Sequence, residues 1–261
     1  MSNLPAWNEG TAPNHLTQAK STDRALLSDR EPPDPCARLR LVEQRITLAQ
    51  RARVDTPRTV HLLAVSKTVP PEGMRAAYAC GQRAFAESYV QEALPKQKVL
   101  RDLEIEWHFI GPIQANKTRP LAEHFAWVHS IERLRVAERL NNQRPAALPA
   151  LNVCIQINID REPSKSGVLP EELSALAHAI AALPHLRLRG LMAIPRPTEN
   201  IHEQMDSFQR VRLLLESLRA EGLELDTLSM GMSDDLESAV ACGATWVRVG
   251  TAIFGERPSS G

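Results

Sequence analysis

Between residues 61 and 249, short apolar runs and amphipathic stretches of helical period alternate without a break. That alternation leaves few folds. A strand that is followed by a helix rejoins its sheet through a crossover, so neighbouring strands are parallel, and a parallel sheet is buried on both faces. The apolar runs fall at residues 61–67, 83–86, 106–110, 125–129, 151–158, 186–193, 227–230 and 246–249. Helical pattern is predicted between them, over residues 72–80, 89–103, 116–124, 131–142, 170–183, 201–222 and 233–243. Pro70-Pro71 ends the first run and suits the first turn of the helix after it. Ser233 is the expected cap of the last helix in that series. One more amphipathic helix precedes the first strand at residues 34–53, with Leu39, Val42, Ile46 and Ala49 on one face.

Eight such units in a chain of 261 residues predict class α/β and a single (β/α)8 barrel of the TIM type over residues 34–257. The alternative is an open, doubly wound sheet, but no Gly-rich dinucleotide fingerprint follows the first strand. Residues 1–33 are rich in Ser, Thr, Asn, Asp and Pro and lack periodicity, which reads as a flexible, disordered extension. Residues 258–261 read as a tail.

Charge removes several classes of partner. With 31 basic and 31 acidic residues, no net field draws the chain to nucleic acid or to an anionic membrane. Aromatic residues, at 4%, are too few for a base-stacking platform. No apolar run reaches the length of a membrane span, and the amino-terminal residues Trp7, Glu9, Asn14 and His15 do not make a signal peptide. Cys36, Cys80, Cys154 and Cys242 are scattered and form no CxxC, which predicts reduced, mostly buried thiols and a cytoplasmic location.

Chemistry in a barrel of this kind sits where strands end, and phosphate groups favour the loops after the seventh and eighth strands. Lys67 closes the first apolar run. Burial there disfavours the charged amine and exposes the lone pair that attacks carbonyls. Ser229, Gly231, Gly250 and Thr251 fall at the ends of the seventh and eighth runs, where small residues let backbone N–H groups approach an anion. Arg248 shares a strand face with Trp246 and Gly250 and needs a partner if that face is inward. Lys165, in Ser164-Lys165-Ser166-Gly167, is a second amine on the same face of the barrel. His61 and His108 are expected to face the interior. The histidines show no zinc spacing, and Asp234-Asp235 is explained by a helix dipole, so no metal site is expected.

Six segments carry a resemblance. They are Ala64-Val65-Ser66-Lys67-Thr68, Phe85 to Glu92, Trp107 to Lys117, Ser164 to Gly167, Leu228 to Asp235 and Val247 to Gly255. Together, and in this order, they resemble the pyridoxal 5′-phosphate (PLP) homeostasis proteins. The resemblance spans roughly residues 36–256 and implies the alanine racemase N-terminal-domain barrel, fold type III. It implies PLP held as a Schiff base on Lys67. It implies Ser229, Gly250 and Thr251 at the phosphate, Arg248 at the pyridine nitrogen and a monomeric protein. The family's usual Gly-Glu-Asn reads Ala86-Glu87-Ser88 here. Ser88 therefore stands where an asparagine lies near the ring hydroxyl, and its shorter side chain reaches that group through water. Lys165 is a possible secondary PLP site.

Three functions compete. The favoured one is a carrier and buffer of PLP in vitamin B6 homeostasis, which hands the cofactor to PLP-dependent apo-enzymes and has no catalytic residue or strong turnover of its own. An arginine at the pyridine nitrogen leaves that nitrogen unprotonated and makes the ring a weaker electron sink. The second is a PLP-dependent racemase or lyase, and the third is a cofactor-free Schiff-base aldolase.

Overall fold

The structure, a computed structural model, describes residues 34–51 and 59–255. The extension expected at residues 1–33 and the tail expected at 258–261 lie outside the described residues. In chain order the elements are α1 (Pro35–Arg51), β1 (His61–Val65), α2 (Pro71–Ala79), β2 (Ala84–Glu87), α3 (Val90–Val99), β3 (Glu106–Phe109), α4 (Thr118–His124), β4 (Trp127–Ile131), α5 (Leu134–Gln143), β5 (Leu151–Ile157), α6 (Leu173–Ala181), β6 (Leu186–Ala193), α7 (Ile201–Ala220), β7 (Thr227–Ser229), α8 (Leu236–Ala241), β8 (Trp246–Val249) and α9 (Thr251–Phe254). All eight strands pair in parallel in chain order, and β8 closes on β1 with Leu63 opposite Arg248 and Ala64 opposite Val249. The sheet is therefore a closed barrel, not the open alternative.

Local chemistry explains the elements. Pro70 and Pro71 stand at the N-cap and first turn of α2, where a missing N–H costs nothing. The predicted face of α1, Leu39, Val42, Ile46 and Ala49, is the face it buries, and the helix packs against α2, α8 and α9. Removing each of these side chains from water contributes on the order of 1–3 kcal/mol. Arg45, on the flank of α1, fixes the contact by donating to both carboxylate oxygens of Glu237 at 2.7 and 2.9 Å and to the Ser233 carbonyl at 2.8 Å.

The main apolar cluster lies between the strands and the helices. Inside the barrel there are two smaller apolar clusters, Leu63 with Ala84, Ala86 and Trp246, and Trp127 with Cys154 and Met192. Aromatic rings fill the amino-terminal half of the interior. His108 lies parallel to Trp127 with centroids 5.4 Å apart, and Trp246 meets the same imidazole at 4.7 Å. His61 does not enter the interior as expected; it stacks on Trp246 at the barrel's amino-terminal rim and is exposed.

Several boundaries shift for physical reasons. The fourth strand starts at Trp127, because Phe125 packs edge-on against Phe109 at 5.6 Å on the helix side of the sheet. That strand continues to Ile131, which pairs with Ile155 beyond a bulge. Ser233 does not cap α8. Asp235 is the N-cap residue, and its Oδ1 accepts from the Met232 N–H at 2.6 Å.

The expectation of four reduced cysteines is corrected for two of them. Cys36, in the first turn of α1, and Cys80, directly after α2, form a disulfide with Cα atoms 5.2 Å apart. Cys154 and Cys242 are buried free thiols. The pairing joins positions 44 residues apart, brought together because α1 and α2 are packed neighbours; no local spacing announces it. Alkylation of protein unfolded without reductant should label Cys154 and Cys242 alone, and prior reduction should raise the count to four, as read by intact mass. Cys36→Ser should lower stability under oxidising conditions by about 2–4 kcal/mol in urea melts, and reduction of the unmodified chain should match it.

Candidate functional site

The carboxyl ends of β1, β2, β7 and β8 converge on one mouth of the barrel. Lys67 lies two residues beyond β1 in a turn, part-buried, and among the described residues its Nζ has no hydrogen-bond or ion-pair partner. The residue before it is tied on every side. The Ser66 N–H donates to the Ala86 carbonyl at 2.9 Å, and the Ser66 hydroxyl donates to Glu87 Oε1 at 2.7 Å. Lys96, on α3, donates to the Ser66 carbonyl at 2.7 Å and to both Glu87 oxygens at 3.0 and 3.2 Å. Glu87 is fully buried. Burial pushes its carboxyl above the ordinary range, while the Ser66 hydroxyl and the Lys96 ammonium act against that. This ion pair fixes the backbone that presents the unpaired amine.

Arg248 occupies the interior face of β8 and is buried. Its Nη1 donates to the Ser229 carbonyl at 2.5 Å and to the Ser229 hydroxyl at 3.0 Å, and its Nη2 donates to the Ala193 carbonyl at 2.9 Å. Burial lowers the guanidinium to about 10, with Asp235 acting in the opposite direction, so it keeps its proton at neutral pH. Among the described residues its Nε–H donates to nothing. Ser229 is fully buried below the mouth, with its hydroxyl oxygen 2.9 Å from His129 Nδ1.

Above Arg248 lie the two loops with Gly231, Gly250 and Thr251, whereas Ser229, expected with them at the phosphate, sits below with its hydroxyl bonded to Arg248 and His129. Gly231 has φ +95°, a conformation that side chains resist, and a Cβ there would press into Ala239. Gly250 comes close to β1, where a Cβ would stand 3.2 Å from the Val65 carbonyl. Thr251 is exposed at the start of α9, and the N–H groups of Thr251 and Ala252 have no acceptor among the described residues. Ser88 follows β2 and is part-buried. Ala86 sits in an ordinary strand conformation, since Arg161 alone of the described non-glycine residues has positive φ. Lys165 follows β5, with Nζ 3.1 Å from Glu162 and 3.5 Å from the Ile194 carbonyl, and so remains on the same face of the barrel.

Below the mouth, His108 faces the interior as expected, joined to Ser229 through His129, in a series that the sequence did not single out. His129 Nδ1 lies 2.9 Å from Ser229 Oγ, His129 Nε2 lies 2.9 Å from His108 Nδ1, and His108 Nε2 lies 2.6 Å from Glu106 Oε1. Both histidines are fully buried. Burial holds His108 below the ordinary range despite Glu106, and holds His129 well below it. The signal was present in the inward parity of Trp127 and His129, but nothing local told a buried relay from a filled core. Lys96 was missed because it lies on a helix and its partners, Glu87 and the Ser66 carbonyl, lie at the ends of β2 and β1.

Two outcomes follow. Lys96→Met leaves Glu87 buried without a cation and should cost about 3–5 kcal/mol in urea unfolding, with Glu87→Gln added to it recovering part of the loss. Acid should weaken the fold through the histidines. Their folded values lie below the unfolded one, so below roughly pH 6.5 the unfolded chain binds protons that the folded chain refuses. Stability should fall by about 1.4 kcal/mol per pH unit for each such histidine. Urea melts from pH 7.5 to 5.5 should show that slope, and His129→Asn should reduce it.

The fold is shared with known proteins. Residues 44–258 match the family described as alanine racemase, N-terminal domain. The pyridoxal phosphate homeostasis protein of Pseudomonas aeruginosa is 61% identical over 83% of this chain and 93% of its own length. That of Escherichia coli K12 is 51% identical over 84% of this chain and 95% of its own length. The structure of PipY from Synechococcus elongatus with PLP bound is 38% identical, has a TM-score of 0.74, and is covered over 100% of its length by 85% of this chain. The chain belongs to the alanine racemase N-terminal-domain family and, within it, to the pyridoxal phosphate homeostasis proteins.

Proposed function

We propose that this protein binds pyridoxal 5′-phosphate on Lys67 and carries and buffers it, without turning over amino acids. The observation that carries the reading is an unpartnered amine just beyond β1 and, on its paired neighbour β8, a buried, proton-bearing guanidinium with an unspent Nε–H. When bound, PLP supplies an aldehyde that an amine captures with loss of water and a pyridine ring that can withdraw electrons.

The residues present fit that group. Lys67 Nζ offers the amine. Gly231, Gly250 and Thr251 frame the anion end, with the free N–H groups of Thr251 and Ala252 as its donors. Ser88 lies on the β2 side for the ring hydroxyl. Ser229 supports the site from below, since its oxygen accepts from Arg248 and its hydrogen goes to His129. Arg248 donates through Nε to the ring nitrogen and, keeping its own proton, leaves that nitrogen without one. A weak electron sink favours holding the cofactor over reacting with it.

In this reading the chain acts as a monomer in the cytoplasm and releases PLP to PLP-dependent apo-enzymes. A reducing compartment would keep Cys36 and Cys80 as thiols and leave the first turn of α1 held by packing alone. Among the described residues, no helix is long and apolar enough to cross a membrane.

The purified protein incubated with PLP should turn yellow, and borohydride should fix the cofactor's mass on Lys67 by peptide mapping. Lys67→Ala should stay colourless. A label on Lys165 in that variant would identify a second holding site, and an unchanged colour without any lysine adduct would sink the proposal.

A further inference from the structure

Four hydrogen bonds form a column through the barrel, and the chemistry of its two ends fixes its direction. A guanidinium only donates and a carboxylate only accepts. Arg248 Nη1–H therefore donates to Ser229 Oγ at 3.0 Å, and the single hydrogen of Ser229 goes to His129 Nδ1 at 2.9 Å. His129 then donates from Nε2 to His108 Nδ1 at 2.9 Å, and His108 donates from Nε2 to Glu106 at 2.6 Å. Each neutral imidazole carries one hydrogen, so every link points the same way and none can reverse without a donor at Glu106 or an acceptor at Arg248. Aligned bonds in a dry interior polarise one another. Trp127 and Trp246 wall the column, and Ser229, His129 and His108 are fully buried, so water has no place to replace a lost link.

We infer that His129 is a positioning residue for the ring-nitrogen contact: by taking the only hydrogen of Ser229, it fixes the serine oxygen as an acceptor for Arg248 and so sets the guanidinium that meets the cofactor. This rests on the carrier reading above. Without His129 the serine hydroxyl is free to rotate, and one of the guanidinium's three bonds loses its defined acceptor. The remaining two, to the Ser229 and Ala193 carbonyls, then hold Nη1 and Nη2 by one bond each. Glu106, whose side chain is 45% exposed at the opposite end, anchors the column at a cleft of about 510 Å³ that His61, Gln82, Arg83 and Trp246 help to line. The cofactor end of the barrel is thereby linked to its far face by hydrogen bonds alone.

The test is PLP titration, followed by absorbance, of the unmodified chain and of His129→Leu, His129→Asn and Ser229→Ala, with a thermal melt of each apo form. His129→Leu should weaken PLP binding by about tenfold, the size of one hydrogen bond to a charged group, and shift the bound cofactor's absorption maximum. His129→Asn places an amide oxygen where Nδ1 stood and should return affinity to within about threefold, which a purely structural loss would not allow. Ser229→Ala should match His129→Leu, and the double variant should add nothing further, so the inference stays testable where the leucine variant does not fold. Variants that bind PLP with unmodified affinity and absorption overturn the inference alone. An unmodified chain that takes up no PLP overturns the carrier reading and this inference with it.

Discussion

A full positive charge inside a parallel barrel is the constraint around which this molecule is arranged. Arg248 is buried, and its guanidinium is met by two strand-end carbonyls, one hydroxyl and the nearby Asp235. Few barrel interiors tolerate this, because a desolvated charge with one partner missing costs several kcal/mol. The polar interior follows from it. Ser229 needs an acceptor, His129 supplies it, His108 supplies the next, and Glu106 ends the series with a carboxylate that touches solvent. Hydrogen bonding to His108 keeps that carboxylate below its ordinary range, so it remains charged at neutral pH.

A second buried charge is handled separately. Glu87 and Lys96 meet between β2 and α3, and their task is local: they hold Ser66, and so the turn that carries Lys67. The two arrangements differ in what they leave free. At Ser66 every polar group is spent on structure and the neighbouring amine is left without a partner. At Arg248 the Nη atoms are spent and Nε is not. This division suits the proposed carrier, in which the groups that would meet the ligand are not those that hold the fold.

Much of this was legible in the chain. Alternating apolar and helical periods gave the barrel, and the spacing of Leu39, Val42, Ile46 and Ala49 gave the buried face of α1. Pro70-Pro71 placed the start of α2, although Lys67, read as the end of the first strand, lies in a turn two residues past it. These signals are local, set by backbone geometry and period. What stayed hidden depends on strands far apart in sequence. Ser229 read as a phosphate ligand at a strand end because a three-residue strand leaves little sign of which way it points. His129 read as one end of a strand because its partners lie on β3 and β7, 21 and 100 residues away. Cys36 and Cys80 carry no spacing signature, and their pairing needs the packing of two helices to become visible.

The pairing of β1 with β8 has a consequence for synthesis. A growing polypeptide makes the lysine strand early and the arginine strand last, and parallel pairing across so long a separation is slow to form. Until Val249 is available, β1 has an open edge on that side, and Lys67 exists without the guanidinium of Arg248 and without the N–H groups of α9. The proposed ligand capture would therefore be a property of the finished ring and not of any part of it. An incomplete nascent chain holds Lys67 but not the mouth around it.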